Sequence, residues 1–336
     1  MLQLREWKNV TPELFSDEIR PLGEPAVLRG VAAHWPHLAA GDDMLDQLAA
    51  FAGTQPVEFT IAPPQSRGLL HYSDDMRSFT FRKQSAPIGE ILKALKATLD
   101  NPGAPTIAIQ SVDLADCFPR LAASISLDLV PPGTRPRIWI GNRAKVATHN
   151  DPLDNIACVM AGRRRFTLFP PEQIGNLYLG PLHNTPAGTP ISMVHLTEPD
   201  LARYPRFAAA IETALVGELE PGDAIFIPYQ WFHHVEALDP VNVLVNYWWN
   251  DAGEAAQEPW DAMLHAILAI RQLPPAQRRA WQANFNHYVF LANGNPGAHL
   301  PEFVRGLLDS DAPLDKAAIR AQLIRALTDR DTVPGP

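Results

Sequence analysis

The triplet His149-Asn150-Asp151 sets an imidazole and a carboxylate two residues apart. On an extended strand such residues point to the same face. Both can then reach one metal ion from one side of a sheet. A further imidazole must arrive from elsewhere in the chain, and the stretch IPYQWFHHVEAL (227–238) offers His233 and His234. Two imidazoles and one carboxylate leave open positions on a metal, the donor set of non-haem Fe(II) oxygenases. His233 and His234 are adjacent, so on a strand they face opposite sides and only one joins the set. A one-residue bulge would exchange them. Taken without a distal histidine, His149 and Asp151 read equally as a strand end and a turn, since Pro152 follows.

Ligands so far apart in sequence need a folded scaffold between them. Residues 104–250 carry short apolar or alternating runs separated by Pro, Gly, Asn and Asp: TIAIQS, RPRIWIGN, RRFTLFPP, DAIFIPY and VNVLVNYWW. This spacing predicts an antiparallel barrel or sandwich. A segment around 174–215, rich in Pro, Leu and His, interrupts the series. Upstream, PAVLRGVA (25–32) predicts a buried strand and 88–99 a helix. From about residue 256 the apolar period becomes helical, with Trp260, Met263, Leu264, Ile267 and Leu268 on one stripe. Pro274 and Pro275 open a second helix carrying Trp281, Phe285, Tyr288 and Val289. Residues 301–309 and 315–328 predict two more. The expected organisation is a domain over 1–250 and a helical region over 251–336. That region is either a cap on the barrel or a dimerisation module.

The 336 residues are 46% hydrophobic, enough for a large core, and the formal net charge is −9. Without a basic run, nucleic acid is not an expected partner. Two cysteines, Cys117 and Cys158, imply no disulfide framework and fit a reducing cytoplasm. MLQLREWKNV lacks an apolar leader core, and no run of about 18 apolar residues predicts a membrane span. The 33 prolines are scattered and read as loop punctuation.

Five motifs occur in order: LRGVAAHWP (28–36), IWIGNRAKVATHND (138–151), GRRRFTLFPPEQ (162–173), GDAIFIPYQWFHHVEAL (222–238) and VNYWW (245–249). Together, over roughly residues 5–250, they resemble the cupin-like JmjC family, and in pattern its asparaginyl hydroxylases. The resemblance implies a double-stranded β-helix, Fe(II), 2-oxoglutarate as co-substrate, and hydroxylation coupled to decarboxylation. It assigns the metal to His149, Asp151 and His233, leaving His234 to packing. Arg164 stands where the family carries a lysine for the far carboxylate of 2-oxoglutarate, and a guanidinium can grip a carboxylate in two-point fashion. On a strand, Arg163 and Arg165 would face the other way, into solvent. Asn155 and Asn246 match co-substrate contacts; Asn246 lies inside an apolar strand, where a lone amide is costly. Trp248 shares its face. Trp231 and Phe232 read as core or as an aromatic wall at the centre. Two positions depart from the pattern: Val146 replaces a threonine and Ala108 a tyrosine, so two hydroxyl donors are missing.

The expected fold is therefore mainly β with α: a jelly-roll of the cupin/JmjC kind, with N-terminal α/β elements and a C-terminal helical region. The expected function is an Fe(II)- and 2-oxoglutarate-dependent hydroxylase acting on a protein or peptide side chain or a small metabolite. The C-terminal helices resemble the family's dimerisation region and imply a homodimer. Rival readings are a metal-dependent cupin enzyme that uses no oxo acid, favoured by the missing hydroxyls, and a non-catalytic binding protein.

Overall fold

The computed structural model describes residues 1–36, 43–101, 103–186, 188–251, 258–308 and 316–331. The chain divides into two compact units, 1–256 and 257–336.

The first unit is built on eight antiparallel strands that alternate between two facing sheets. Pro136–Gly141, Asp154–Ala161, Ala224–Ile227 and Asn242–Trp249 lie in one sheet. Lys145–Asn150, Arg164–Phe169, Leu215–Leu219 and Phe232–Ala237 lie in the other. Consecutive strands cross from sheet to sheet except around the long segment between Phe169 and Leu215. This is the antiparallel sandwich the punctuated runs predicted, in the jelly-roll form the resemblance implied. Strands Arg5–Lys8, Ala26–Arg29, Thr106–Asp113, Pro56–Ala62 and Arg82–Pro87 extend the first sheet to nine; Leu2–Gln3 and Leu69–Leu70 extend the second to six.

Alternation decides what each strand shows to the space between the sheets. On Asn242–Trp249, Val243, Val245, Tyr247 and Trp249 join the outer core, while Leu244 joins the inner one. The parity leaves Asn246 and Trp248 on the inner side with Leu244. On Asp154–Ala161, Ile156, Cys158 and Met160 face outward, and Ala157 and Val159 inward. Ile138 and Ile140 likewise face outward, which turns Trp139 inward.

The outer face of the nine-stranded sheet is covered by helices. Asp43–Phe51 buries Met44, Leu45 and Leu48, and Ile88–Lys96 buries Ile88, Ile91, Leu92 and Leu95. Both sets follow helical spacing, so one stripe of each helix meets the sheet. The outer face of the other sheet is covered by the 170–214 segment, where Leu177, Val194, Leu196 and Phe207 pack with Phe169 and Phe232. Gly162 makes the tight turn into Arg164–Phe169 at φ 69°; a Cβ there would run into the Val241 carbonyl oxygen.

The second unit contains helices Glu258–Ile270, Pro275–Tyr288, Glu302–Arg305 and Lys316–Asp331. Several of its large apolar side chains are exposed, including Leu268, Trp281, Tyr288, Phe290 and Phe303. No described helix is long and apolar enough to cross a membrane. Both cysteines are free and buried.

Candidate metal centre

His149 and His233 are direct partners on the antiparallel pair Lys145–Asn150 and Phe232–Ala237. Their ring centroids are 4.3 Å apart, and each residue is more than nine-tenths buried. Asp151 follows the first strand rather than lying on it. Its carboxylate oxygens come within 4.0 Å of His149 Nε2 and 3.7 Å of His233 Nε2. The three residues are the one group of metal-competent side chains found among the described residues, their donor atoms all within 4.8 Å of one another.

Backbone carbonyls decide which ring nitrogens face the centre. His149 Nδ1 lies 2.9 Å from the Ala147 carbonyl oxygen and His233 Nδ1 3.1 Å from that of Trp231. A carbonyl oxygen only accepts, so both Nδ1 atoms carry the proton and donate. Both Nε2 lone pairs are thereby left pointing at the carboxylate, the arrangement that fixes a metal-binding tautomer. Burial also lowers the His233 pKa to about 4, with the neighbouring His149 adding to the effect, so the ring is neutral at pH 7.

The strand pairing carries an irregularity that the sequence did not disclose. His149 pairs with His233, but Val146 pairs with Val235, so one extra residue sits on the His149 strand. This bulge lets Val146 and His149, three apart, both face the interior. The bulge lies on the His149 strand, not on the strand that carries His233 and His234. His233 therefore keeps its inward face, and His234 points the other way, alongside its partner Thr167. His234 is buried with no hydrogen-bond partner for Nε2, and burial lowers its pKa to about 3.

The loop before His233 is tied to the carboxylate end. Gln230, at φ 64°, donates its backbone N–H to the Asp151 carbonyl, and its side-chain oxygen accepts from Asn150 Nδ2. Asp154 receives the Tyr229 N–H at 2.9 Å and the Arg20 guanidinium at 3.0 Å.

The three residues open on a cavity of about 560 Å³ between the sheets. Arg164, Asn155 and Asn246 all line it. Asn246 Nδ2 donates to Asn155 Oδ1 at 2.8 Å, while Asn246 Oδ1 has no partner. Arg164 is 8% exposed, and no hydrogen bond or ion pair to its side chain occurs among the described residues; its Nε is enclosed and unpartnered. Burial alone pulls its pKa down to about 10, so the charge persists at neutral pH. Arg163 and Arg165 take the opposite role: exposed, they pair with Asp239 at 2.9 Å and Glu218 at 2.6 Å.

Other expectations shift. Val146 lines the cavity, but Ala108 does not; it borders a small neighbouring void instead. Trp231 and Phe232 form no aromatic wall at the centre. Trp231 donates its indole N–H to the Gly23 carbonyl, and Phe232 packs beneath the 170–214 segment. The aromatic lining comes from Phe59, Trp139, Phe166 and Trp248, of which only Trp248 stood out in the sequence. The mouth is polar, with Thr60 bonded to Gln110 at 3.0 Å and Lys83 paired with Glu58 at 2.9 Å.

The donor sets fit the groups the motifs imply. Two imidazole nitrogens and a carboxylate oxygen suit Fe(II) with positions to spare. An unpaired buried guanidinium suits an anion, because an isolated charge in a low-dielectric site is costly until it is matched.

Comparison with known proteins agrees with this geometry. Residues 12–255 match the model of the family described as "Cupin-like domain". The chain is 28% identical over 269 residues to the lysine-specific demethylase JMJ31 of Arabidopsis thaliana, covering 70% of this chain and 47% of that protein. It is 26% identical over 274 residues to the human bifunctional peptidase and (3S)-lysyl hydroxylase JMJD7, covering 72% of this chain and 82% of that one. It is 27% identical over 269 residues to the tRNA wybutosine-synthesizing protein 5 of Danio rerio, covering 74% and 75%. The chain thus spans about half the length of the first of these relatives. With most of its length matched and the jelly-roll in place, the chain belongs to the cupin-like domain family.

Proposed function

We propose that this chain is an Fe(II)- and 2-oxoglutarate-dependent oxygenase, a hydroxylase of a protein or peptide side chain or of a small metabolite. One observation carries the reading. A three-ligand group and an unpaired buried guanidinium, Arg164, share one cavity. That pairing answers to a co-substrate with a metal-binding end and a distant carboxylate. His149, Asp151 and His233 would hold the iron; Arg164, Asn155 and Asn246 would hold the acid. When bound, iron and oxo acid together supply dioxygen-driven oxidation of a C–H bond, with the acid leaving as succinate and carbon dioxide.

The chain's own part is positioning and exclusion. The Ala147 and Trp231 carbonyls orient the two imidazoles. The Asn155–Asn246 pair presents an open amide edge to the acid. Val146, Phe166, Val235 and Leu244 surround the rest of the interior with hydrocarbon and keep water from the reacting atoms. The names of the relatives, a demethylase and a lysyl hydroxylase among them, support an oxygenase and favour a protein or peptide substrate. The test is succinate formation from 2-oxoglutarate in air, with Fe(II) supplied. Its absence, with metal demonstrably bound, favours a metal-dependent cupin enzyme without an oxo acid, a reading to which the hydroxyl-free Val146 and Ala108 also point.

Two unpaired thiols suit a reducing cytoplasm as the compartment. The exposed apolar side chains of the C-terminal helices suit a homodimer formed through residues 251–336, with 1–250 as the catalytic domain.

A further inference from the structure

The resemblance places hydroxyl donors to 2-oxoglutarate at the positions of Val146 and Ala108, and neither side chain can donate. We propose that the indole N–H of Trp139 takes over this task beside Arg164, giving a carboxylate clamp made only of nitrogen donors. This rests on the oxo-acid reading of the cavity.

Three observations support it. Trp139 lines the main cavity, yet its Nε1 is shut off from solvent and has no hydrogen-bond partner. An indole N–H is a donor only, so an acceptor has to come from outside the chain or the group stays unpaired at a cost. Second, Trp139 and Arg164 both border the main cavity and also the small void of about 30 Å³ beside Ala108 and Val146. Both therefore border the void that the two hydroxyl-free side chains also line. Third, Trp248 also has an unpartnered Nε1 and lies edge-on to Trp139 at 6.0 Å, but it does not border that void. The position singles out Trp139. A carboxylate lodged there supplies the charge Arg164 lacks and the acceptor Trp139 lacks in one step. The strand explains how a tryptophan comes to stand there: Ile138 and Ile140 belong to the outer core, so residue 139 must face inward.

The test is calorimetric titration of two acids, 2-oxoglutarate and 2-oxovalerate, into the full chain loaded with Mn(II). The second lacks the far carboxylate. Wild type should prefer 2-oxoglutarate. Trp139→Phe should weaken 2-oxoglutarate by roughly tenfold or more, as for a hydrogen bond to a charged group, and leave 2-oxovalerate unchanged. Trp139→Leu should do the same, which guards against a packing defect in one variant. An equal loss for both acids, or no loss for either, overturns the clamp while leaving the oxygenase reading intact. A wild-type chain that binds neither acid ends both.

Discussion

His149 and His233 face one another as cross-strand partners, and each turns its Nδ1 to the carbonyl oxygen of the residue two places before it. The two Nε2 atoms therefore converge on Asp151 with no side chain outside the group orienting them. The sheet itself sets the tautomers. From this symmetry it follows that removing a ligand should not disturb the orientation of the others.

Metal binding should accordingly fail cleanly. His149→Ala or Asp151→Ala should abolish stoichiometric Fe(II) binding while the far-ultraviolet circular dichroism stays that of the wild type. His234→Ala should keep one bound metal, since His234 lies on the opposite face. Metal analysis after gel filtration checks both; loss of metal in His234→Ala with the fold retained would contradict the assignment.

Arg164 should behave as a charge held in reserve for a ligand. Arg164→Met removes an unpaired buried guanidinium and keeps most of the volume. The unliganded chain should gain stability on the order of 1 kcal/mol in urea unfolding. The same variant should lose the stabilisation that 2-oxoglutarate gives the metal-loaded wild type. A destabilised variant that still binds the acid would show that Arg164 has a structural partner instead.

Much of this was open to inspection in the chain alone, because period-two alternation is a strong constraint. The inward faces of Asn155, Asn246 and Trp248 follow from the apolar residues between them. The extra residue near Ala147 and Thr148 was not legible. A bulge costs one residue of register and leaves no compositional mark in VATHND. Trp139 was missed for a related reason: within IWI it reads as one more apolar strand residue, and only the fold shows that it lines the cavity beside Arg164. Trp231 and Phe232 were legible as core, but the sequence does not reveal that Phe232 packs under the segment covering the outer face of the second sheet.

Asp239 gives a pH-dependent check on the turn that feeds Arg164 into its strand. Its carboxylate accepts from the Arg163 backbone N–H at 2.7 Å and from the guanidinium at 2.9 Å. The side-chain bond to Arg163 holds its pKa below the usual carboxylate range. A depressed pKa means stability present at neutral pH and lost as pH falls through the folded value. Asp239→Asn should therefore be slightly destabilising at pH 7, by under about 1 kcal/mol for so exposed a pair, and neutral once the wild-type carboxyl is protonated. A difference that persists unchanged at low pH would point to packing instead of charge.

Assembly is tested by light scattering on dilute protein. The exposed Leu268, Trp281, Tyr288 and Phe303 argue for a two-fold dimer. A mass near 37.1 kDa rules it out. Truncation after Asn250 should expose an apolar face and cause aggregation or unfolding if the helices are the interface, and a well-behaved soluble monomer would contradict it.

The most direct measurement is an anaerobic titration of 2-oxoglutarate into the Fe(II)-loaded chain, followed by visible absorption. The expected result is a weak charge-transfer band in wild type that saturates at one equivalent, is much reduced in Arg164→Met at the same acid concentration, and is absent in Asp151→Ala. A wild-type chain that binds iron yet shows no band at saturating acid, or a band undiminished in Asp151→Ala, would contradict the assignment of this cavity to iron and an oxo acid.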